Sequence, residues 1–114
     1  MLKKNWKDIE KQFFHHNTAT RQVFSGDNVM MVLNTIQPEF TSFRHSHPHE
    51  QILCILDGEG DVTVGDQTAR MGPGDMVHVP PNVEHDLKVV GDKPVINLDV
   101  FTPIREDFIK NLQK

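Results

Sequence analysis

The chain has 114 residues, of which 25% are charged, and its formal net charge is −4 at pH 7. This length predicts a single domain over residues 1–114, and the acidic balance with scattered lysines and arginines argues against nucleic acid as a partner. No stretch approaches the ~20 apolar residues of a membrane-spanning helix, and residues 1–10 lack the apolar run of a signal peptide. With Cys54 as its single cysteine the chain forms no intrachain disulfide, so we expect a cytoplasmic protein that has no membrane partner.

At the start of the chain, Trp6, Ile9 and Phe13 recur at helical spacing. This pattern predicts either a short amphipathic helix over residues 5–14 or an arm that packs across the core. His15 and His16 follow in a polar stretch, where we expect both to be solvated.

Short apolar or alternating segments separated by turn residues then extend over a core of about residues 29–102, as is typical of antiparallel strands. Gly65-Asp66 predicts a two-residue hairpin turn. Strands of this length and spacing favour a closed or double-sheet all-β architecture. The predicted strands cover residues 29–33, 43–47, 51–56, 61–64, 76–79, 85–89 and 95–101.

The C-terminal residues return to helical spacing. Pro103 stands at a plausible first helical position, and a short helix is predicted by the spacing of Ile104, Phe108, Ile109 and Leu112. Segments 51–56 and 95–101 are apolar on both faces, which predicts two buried surfaces. One would line the barrel and the other would pack against the terminal arm or a second subunit, so we expect a homodimer.

Histidines are concentrated in two places, residues 45–49 and position 85. Neutral imidazole is the commonest nitrogen ligand of biological transition metals. Because side chains alternate along a strand, His45 and His47 converge on one side, and Gln51 follows after a short turn. His49 has the same parity but comes after Pro48, so we expect it to line the pocket or to support a ligand rather than to bind the metal itself. His78 is best interpreted as a non-ligand that faces the pocket or a subunit interface.

Residues 43–89 resemble the two motifs of the cupin superfamily. The first is His45-x-His47, three residues, Gln51, six residues and Gly58; the second is Gly74, five residues, Pro80 and, five positions on, His85. This resemblance implies a jelly-roll barrel, known as the cupin double-stranded β-helix, with short N- and C-terminal helical segments. It also implies that the metal ligands are His45, His47, Gln51 and His85.

The sequence departs from these motifs at three positions, with Gln51 in place of the usual Glu, Asn82 in place of Gly, and Val89 in place of Asn. Only Gln51 would touch the metal, either directly or by a hydrogen bond to a ligand water. A neutral amide cancels none of the charge of a divalent ion, which favours Lewis acidity and attraction of an anionic substrate. Neutral nitrogen and oxygen ligands accept Ni, Zn, Fe, Mn or Cu, so the sequence does not select among them.

Residues 98–108 look like the C-terminal signature of small single-domain cupins of the pectin-degradation KdgF type, which act in ring opening of unsaturated uronates. That resemblance implies that Asp99, Phe101 and Arg105 line the active site. Asp99 would be either a general base or the hydrogen-bond partner of a histidine ligand. Arg105 would be either a carboxylate clamp or a surface charge of the helix.

Three functions are compatible with these residues. The first is an enzyme that acts on a small anionic molecule such as an unsaturated or keto sugar acid, with a divalent transition metal and Asp99 as base. The second is a metal-dependent dioxygenase of a small organic substrate. The third is a non-catalytic module that binds a small ligand or a metal.

Overall fold

The computed structural model describes residues 1–112 and, among them, shows nine strands, one 3₁₀ helix and one α-helix. The strands form a six-stranded antiparallel sheet, in the order β1-β2-β3-β9-β4-β7, and a three-stranded sheet, β6-β5-β8. This confirms the predicted all-β jelly roll. The elements are a 3₁₀ helix Trp6–Asp8, β1 Gln12–Phe14, β2 Ala19–Ser25, β3 Met30–Ile36, β4 Glu50–Asp57, β5 Glu59–Val64, β6 Gln67–Met71, β7 Met76–Val79, β8 His85–Val90, β9 Val95–Thr102 and α1 Glu106–Leu112.

The main core lies between the two sheets and follows from strict alternation along the central strands. In β9 every second residue is buried, as in β3, because each strand turns one face towards the opposite sheet. Ile55 and Val95 are fully buried, and side chains of this size contribute roughly 1.5–3 kcal/mol each when removed from water. Val62, Leu87 and Val89 of the small sheet close the core from the other side.

The predicted C-terminal helix covers a second apolar cluster. Ile104, Phe108 and Ile109 pack against Met30 and Phe101 at the inner face of the large sheet. The helix begins at Glu106 and not at Pro103, since the first helical hydrogen bond runs from the Phe108 N–H to the Arg105 carbonyl. Its first turn carries Glu106 and Asp107, whose negative charges favour a helix N-terminus. The side chain of Leu112 lies outside the described residues.

The predicted N-terminal helix over residues 5–14 is wrong in extent, and the alternative, an arm, describes this segment better. Only Trp6–Asp8 is helical, capped by the Asn5 side chain. The side-chain amide of Gln22, on the outward face of β2, donates to the carbonyls of Trp6 and Ile9 at 2.6 and 2.9 Å. The segment therefore lies across β2, a strand that the sequence analysis missed.

The predicted strand over residues 43–47 is also absent, since only His45 pairs, in a single bridge with His85. The two residues exchange backbone hydrogen bonds at 2.9 and 3.1 Å. The His47 carbonyl accepts from the Asn82 N–H at 2.8 Å, which ends the pairing after one residue. Residues 45–47 are thus held by backbone hydrogen bonds to His85 and to the turn that precedes β8.

Two turns explain motif residues outside the metal site. At Gly58, φ is 77° and an added Cβ would lie 2.3 Å from the Pro94 carbonyl oxygen, so no side chain fits. Asn82 has φ of 64°, a left-handed conformation that Asn tolerates better than most residues, which accounts for Asn at a position where glycine is common. The predicted hairpin at Gly65-Asp66 is confirmed by the pairing of Val64 with Gln67.

The outward face of the large sheet is apolar and partly uncovered. Ile52, Leu56 and Met76 are 36%, 50% and 67% exposed. The terminal arm lies over β2 and leaves these residues open, so the homodimer stays a prediction. Among the residues described, no helix has the length and apolar character needed to cross a membrane.

Candidate metal centre and active site

A cavity of about 340 Å³ opens between the two sheets, a size that suits a small organic ligand. Its wall brings together six of the residues singled out from the sequence, from three separate parts of the chain. They are His45, Gln51, His85, Asp99, Phe101 and Arg105.

His45, His47 and His85 form one cluster. One ring nitrogen from each lies within 4.8 Å of the others, which is close enough to share one metal ion. His47 and His85 are buried, while His45 lies at the solvent-exposed rim. The cluster exists because the backbone bridge places His45 beside His85, with their ring centroids 4.3 Å apart.

The tautomers of the three rings follow from their contacts with the backbone. Nδ1 of His85 lies 2.9 Å from the Val83 carbonyl, that of His47 3.0 Å from the His49 carbonyl, and that of His45 3.3 Å from the Phe43 carbonyl. A carbonyl only accepts, so each Nδ1 carries the hydrogen and each neutral ring keeps a lone pair on Nε2. Nε2 of His85 is buried and has no hydrogen-bond partner among the described residues.

Burial keeps these rings neutral. It lowers the pKa of His85 to about 4, with smaller contributions from the neighbouring His45 and His47. Burial likewise lowers the pKa of His47, and partial desolvation by the neighbouring rings lowers that of His45 at the rim; the positive charge of Arg105 adds to both effects. A metal binds the neutral imidazole, so the site is in its binding form at neutral pH.

Gln51 completes the donor set. Its side-chain N–H donates to Oδ1 of Asp99 at 2.8 Å, which fixes the orientation of the amide. The amide oxygen then lies 3.0 Å from Nε2 of His47. Because the hydrogen of His47 is on Nδ1, its Nε2 and the amide oxygen of Gln51 each present a lone pair to the same space.

Three imidazole nitrogens and one amide oxygen fit a divalent first-row transition metal. The unpartnered Nε2 of His85 and the two facing lone pairs of His47 and Gln51 are the features that a cation would satisfy. Ni, Zn, Fe, Mn and Cu all suit such a donor set, and its chemistry does not identify the metal.

Asp99 is 8% exposed and accepts hydrogen bonds from three side-chain amides. The donors are Asn34 at 2.8 Å, Gln51 at 2.8 Å and Asn97 at 3.0 Å. Burial raises the pKa of Asp99 to about 6, although the three hydrogen bonds act in the opposite direction. Among the described residues, none of its hydrogen bonds reaches a histidine, so Asp99 does not orient a ligand ring as one interpretation expected.

Arg105 lies just before α1 and lines the cavity, with its side chain only 15% exposed. Its guanidinium lies over the ring of Phe108, 4.1 Å from the centroid, and 5.1 Å from that of Phe101. Asp107 accepts from Nε and Nη2 at 3.2 and 3.0 Å, which holds the group at the cavity wall. Arg105 is therefore a residue of the cavity wall and not a freely solvated surface charge of the helix.

The remaining histidines do not belong to the cluster, although His49 lies beside it. His49 contributes its backbone carbonyl to His47, and its ring lies 5.5 Å from that of His47 between centroids. His78 is on the outer face of the large sheet, where it pairs with Glu50 at 2.6 Å. The expectation that His15 is solvated is wrong, because its ring stacks on Phe43 with centroids 4.9 Å apart.

A polar row on the inner face of the large sheet was not predicted from the sequence. Arg21 of β2 pairs with Asn34 of β3, which in turn pairs with Asn97 of β9, and all three line the cavity. The row was missed because β2 was not predicted. Residues 19–25 show no apolar–polar alternation, and the Gly26-Asp27 turn before β3 was the available signal of a hairpin.

Comparison with known proteins agrees with this geometry. The family model described as Cupin domain matches residues 32–101, which is more than half of the chain. The chain belongs to the cupin family. The matched range contains both histidine segments and ends at Phe101 of β9.

Among curated proteins, the chain is similar to the H2HPP isomerase of Bacillus subtilis, with 29% identity over 106 residues. That match covers 85% of this chain and 44% of the relative, so the chain spans less than half of the length of that protein. Among solved structures, an RmlC-like cupin from Shewanella frigidimarina is 26% identical, with a TM-score of 0.84, over 92% of this chain and 93% of that one. KdgF from Halomonas sp. is 21% identical, with a TM-score of 0.80, over 90% and 94%, and this likeness shows the fold alone.

Proposed function

We propose that this cupin is a metal-dependent enzyme that isomerises or ring-opens a small anionic substrate, such as an unsaturated or keto sugar acid, by moving a proton. One observation carries the proposal. The buried carboxylate of Asp99 and the histidine cluster lie at opposite ends of a single amide, that of Gln51. A base and a Lewis-acid site separated by one side chain can act on adjacent atoms of one small molecule.

His45, His47, Gln51 and His85 would hold the metal. A divalent ion at these residues supplies Lewis acidity toward a carbonyl or hydroxyl oxygen of the substrate. Because all four ligands are neutral, the ligand set leaves the positive charge of the ion uncancelled, which favours an anionic substrate.

Asp99 would carry the proton. In an isomerisation its carboxylate would take a proton from one substrate carbon and return it to another. In a ring opening it would take the hemiacetal hydroxyl proton as the ring C–O bond breaks and deliver it to a carbon of the former double bond, so in both cases the enzyme is unchanged at the end. The three amides around Asp99 hold the carboxylate in one orientation during both transfers. A protonated acid at this site is also accessible near neutral pH, which both halves of the cycle need.

Arg105 would bind the carboxylate of the substrate, and Phe101 would form the wall against which its ring or chain packs. A guanidinium presents paired N–H donors that match a carboxylate. Among the described residues, Oδ1 of Asn97 has no hydrogen-bond partner, although Asn97 is only 2% exposed and lines the cavity. This oxygen is placed to accept from a substrate hydroxyl, which favours a hydroxylated acid.

The comparisons support the reaction class more than the substrate. The relative whose printed name is H2HPP isomerase supports an isomerase, and the KdgF structure supports the architecture. Sugar-acid chemistry, carbohydrate metabolism and a cytoplasmic location remain proposals for this chain.

The test follows proton movement directly. In deuterated buffer, the metal-loaded protein is incubated with an unsaturated galacturonate and related keto acids, and deuterium incorporation is read by NMR together with loss of the double-bond absorbance. We expect incorporation in the wild type, loss of at least about a hundredfold in Asp99→Asn, and wild-type rates in Asp66→Asn, whose carboxylate is in the exposed β5–β6 turn. Oxygen consumption without solvent exchange would identify a dioxygenase, and ligand binding without either would identify a non-catalytic module.

A further inference from the structure

Arg21 is a half-buried cation that the proposed reaction does not use. It lies on the inner face of β2, and its guanidinium carbon is 4.2 Å from the ring centroid of Phe14 and 4.0 Å from that of Phe108. Among the described residues it makes no hydrogen bond or ion pair through its side chain. Two aromatic faces stabilise a cation only modestly, so its burial needs another compensation.

Arg105 approaches the same Phe108 ring, with its guanidinium carbon 4.1 Å from the centroid. The guanidinium carbons of Arg21 and Arg105 therefore lie within about 8 Å of each other. Burial, together with the repulsion from Arg105, lowers the pKa of Arg21 to about 10, although the charges of Asp107 and Asp99 act in the opposite direction. Asp107 pairs directly with Arg105, whereas within the described part of the chain no carboxylate forms an ion pair with Arg21.

The position of Arg21 in the sheet places it beside other polar residues that line the cavity. It stands in register with Asn34 and, through it, with Asn97, so one polar row leads from Arg21 to the amides that surround Asp99. The unpartnered Oδ1 of Asn97 belongs to this row. The cavity wall also carries apolar residues such as Phe14, Ile36 and Leu53, and polar groups placed among apolar ones in a pocket are expected to contact a ligand.

We infer that Arg21 is a second anion-binding residue and that the substrate carries two anionic groups, one for Arg105 and one for Arg21. This inference rests on the proposed function for the first group, because Arg105 is assigned to the substrate carboxylate there. A dianion placed between the two guanidinium groups would remove their repulsion and satisfy the donors of Arg21. The second group is an oxyanion, either a carboxylate or a phosphate.

Binding measurements test this without turnover. Titration calorimetry is performed on the full chain as purified, and again after chelation so that any contribution of a metal is separated. Glutarate is compared with pentanoate, and phosphonoacetate with acetate, because each pair differs in one anionic group. We expect the dianion of at least one pair to bind about tenfold or more tightly than its monoanion, and the pair that shows this identifies the oxyanion.

Three variants assign the preference. Arg21→Met keeps the apolar stem of the side chain. We expect it to reduce the ratio of dianion to monoanion affinity to about twofold and to leave monoanion affinity unchanged. Arg105→Gln should weaken dianion and monoanion alike, and if it does not, the carboxylate assignment of the proposed function is wrong instead. Arg44→Gln removes an exposed arginine that contacts the Gly65 carbonyl and should change neither ratio.

If folded Arg21→Met keeps the wild-type ratio of dianion to monoanion affinity, the inference is overturned. A lower melting temperature of this variant without loss of the dianion preference would show that Arg21 is a structural cation, which also overturns it. If Arg21→Met does not fold, the wild-type protein gives the answer. Labelling of Arg21 by phenylglyoxal, followed by peptide mass spectrometry, should be slowed by the preferred dianion and not by its monoanion. Equal labelling in both would also overturn the inference.

Discussion

Gln51 donates its side-chain N–H to Oδ1 of Asp99 over 2.8 Å. The residue that stands at the usual carboxylate position of the metal motif is therefore the immediate neighbour of the one carboxylate buried in the cavity. A glutamate at position 51 would place two negative charges at hydrogen-bond distance, which a buried site does not tolerate. The amide of Gln51 is thus explained by Asp99 as much as by the metal.

The substitution Gln51→Glu should raise the pKa of Asp99 further, by about one unit or more, because two close carboxylates cannot both ionise. In the metal-free protein we expect the free energy of unfolding at pH 8 to fall below that of the wild type. Metal affinity should rise, since a carboxylate neutralises part of the charge of the ion. Chemical denaturation and metal titration measure the two effects, with Gln67→Glu on the exposed face of β6 as the matched control.

The pH dependence of stability of the metal-free protein is set by opposing groups. The pKa of His85 falls from 6.5 to about 4, so between these values the unfolded chain binds a proton that the native state does not, and stability rises with pH by up to about 3 kcal/mol. The pKa of Asp99 rises from 3.8 to about 6, so stability falls by a similar amount as pH increases over that range. His45 and His47, whose pKa values are also lowered, decide the balance.

We therefore expect a net increase in stability from about pH 4 to 6.5, and a steeper increase in Asp99→Asn, from which the opposing contribution is removed. Urea denaturation at a series of pH values measures this. Asp66→Asn should follow the wild-type curve, and a curve for Asp99→Asn that is no steeper would show that Asp99 is not protonated in the native state at pH 5.

Metal binding should depend on His85 and not on His78. His85→Ala removes the buried Nε2 and is expected to lower metal affinity by about a hundredfold, whereas His78→Ala removes only an exposed contact with Glu50. Elemental analysis of the purified variants and competition with a chelating dye give the two affinities. Equal metal content in both variants would place the ion elsewhere.

The outward face of the large sheet should mediate a homodimer. Its exposed Ile52, Leu56 and Met76 lie among further apolar residues of β3, β4 and β9, and a stable interface needs about 800 Å² from each partner. Light scattering after size exclusion should give twice the chain mass. Ile52→Glu should give a monomer, while Val29→Glu, in the β2–β3 turn, should leave the dimer intact.

The turn between β1 and β2 should be strained. His15, His16 and Asn17 have φ values of 54°, 59° and 61°, a conformation that costs about 1 kcal/mol for a residue with a Cβ. His16 is exposed, so His16→Gly should raise the free energy of unfolding by up to about 1 kcal/mol. His16→Ala keeps the Cβ and should bring no gain. Calorimetric melting of both variants measures the difference.

Much of the barrel was predictable from the sequence because its central strands alternate or are continuously apolar. The strands that contain Val32, Leu53, Val62 and Val95 were all located, since burial of one or both faces leaves a clear pattern. β6 was not predicted, because four of its five positions are exposed and it lies at an edge, where little burial constrains the residues. β2 was missed because its inner face carries Arg21, which serves the cavity and not the core.

The metal site could be predicted for a different reason, since His45, His47 and His85 follow a motif of fixed spacing. The strand geometry expected to bring them together is nevertheless wrong, because one backbone bridge between His45 and His85 does this. The surroundings of Asp99 were hidden, since Asn34 comes from a strand far away in the chain. Such cross-strand partners depend on register, which a single sequence does not encode locally.

Each histidine of the cluster is oriented by a carbonyl only two residues away along its own segment. Among the described residues, no acidic side chain orients any of these three rings. An engineer could therefore exchange one ligand, for example Gln51 or His45, without rebuilding the supports of the other rings. The scaffold is a suitable starting point for changing the metal, and with it the reaction, one position at a time.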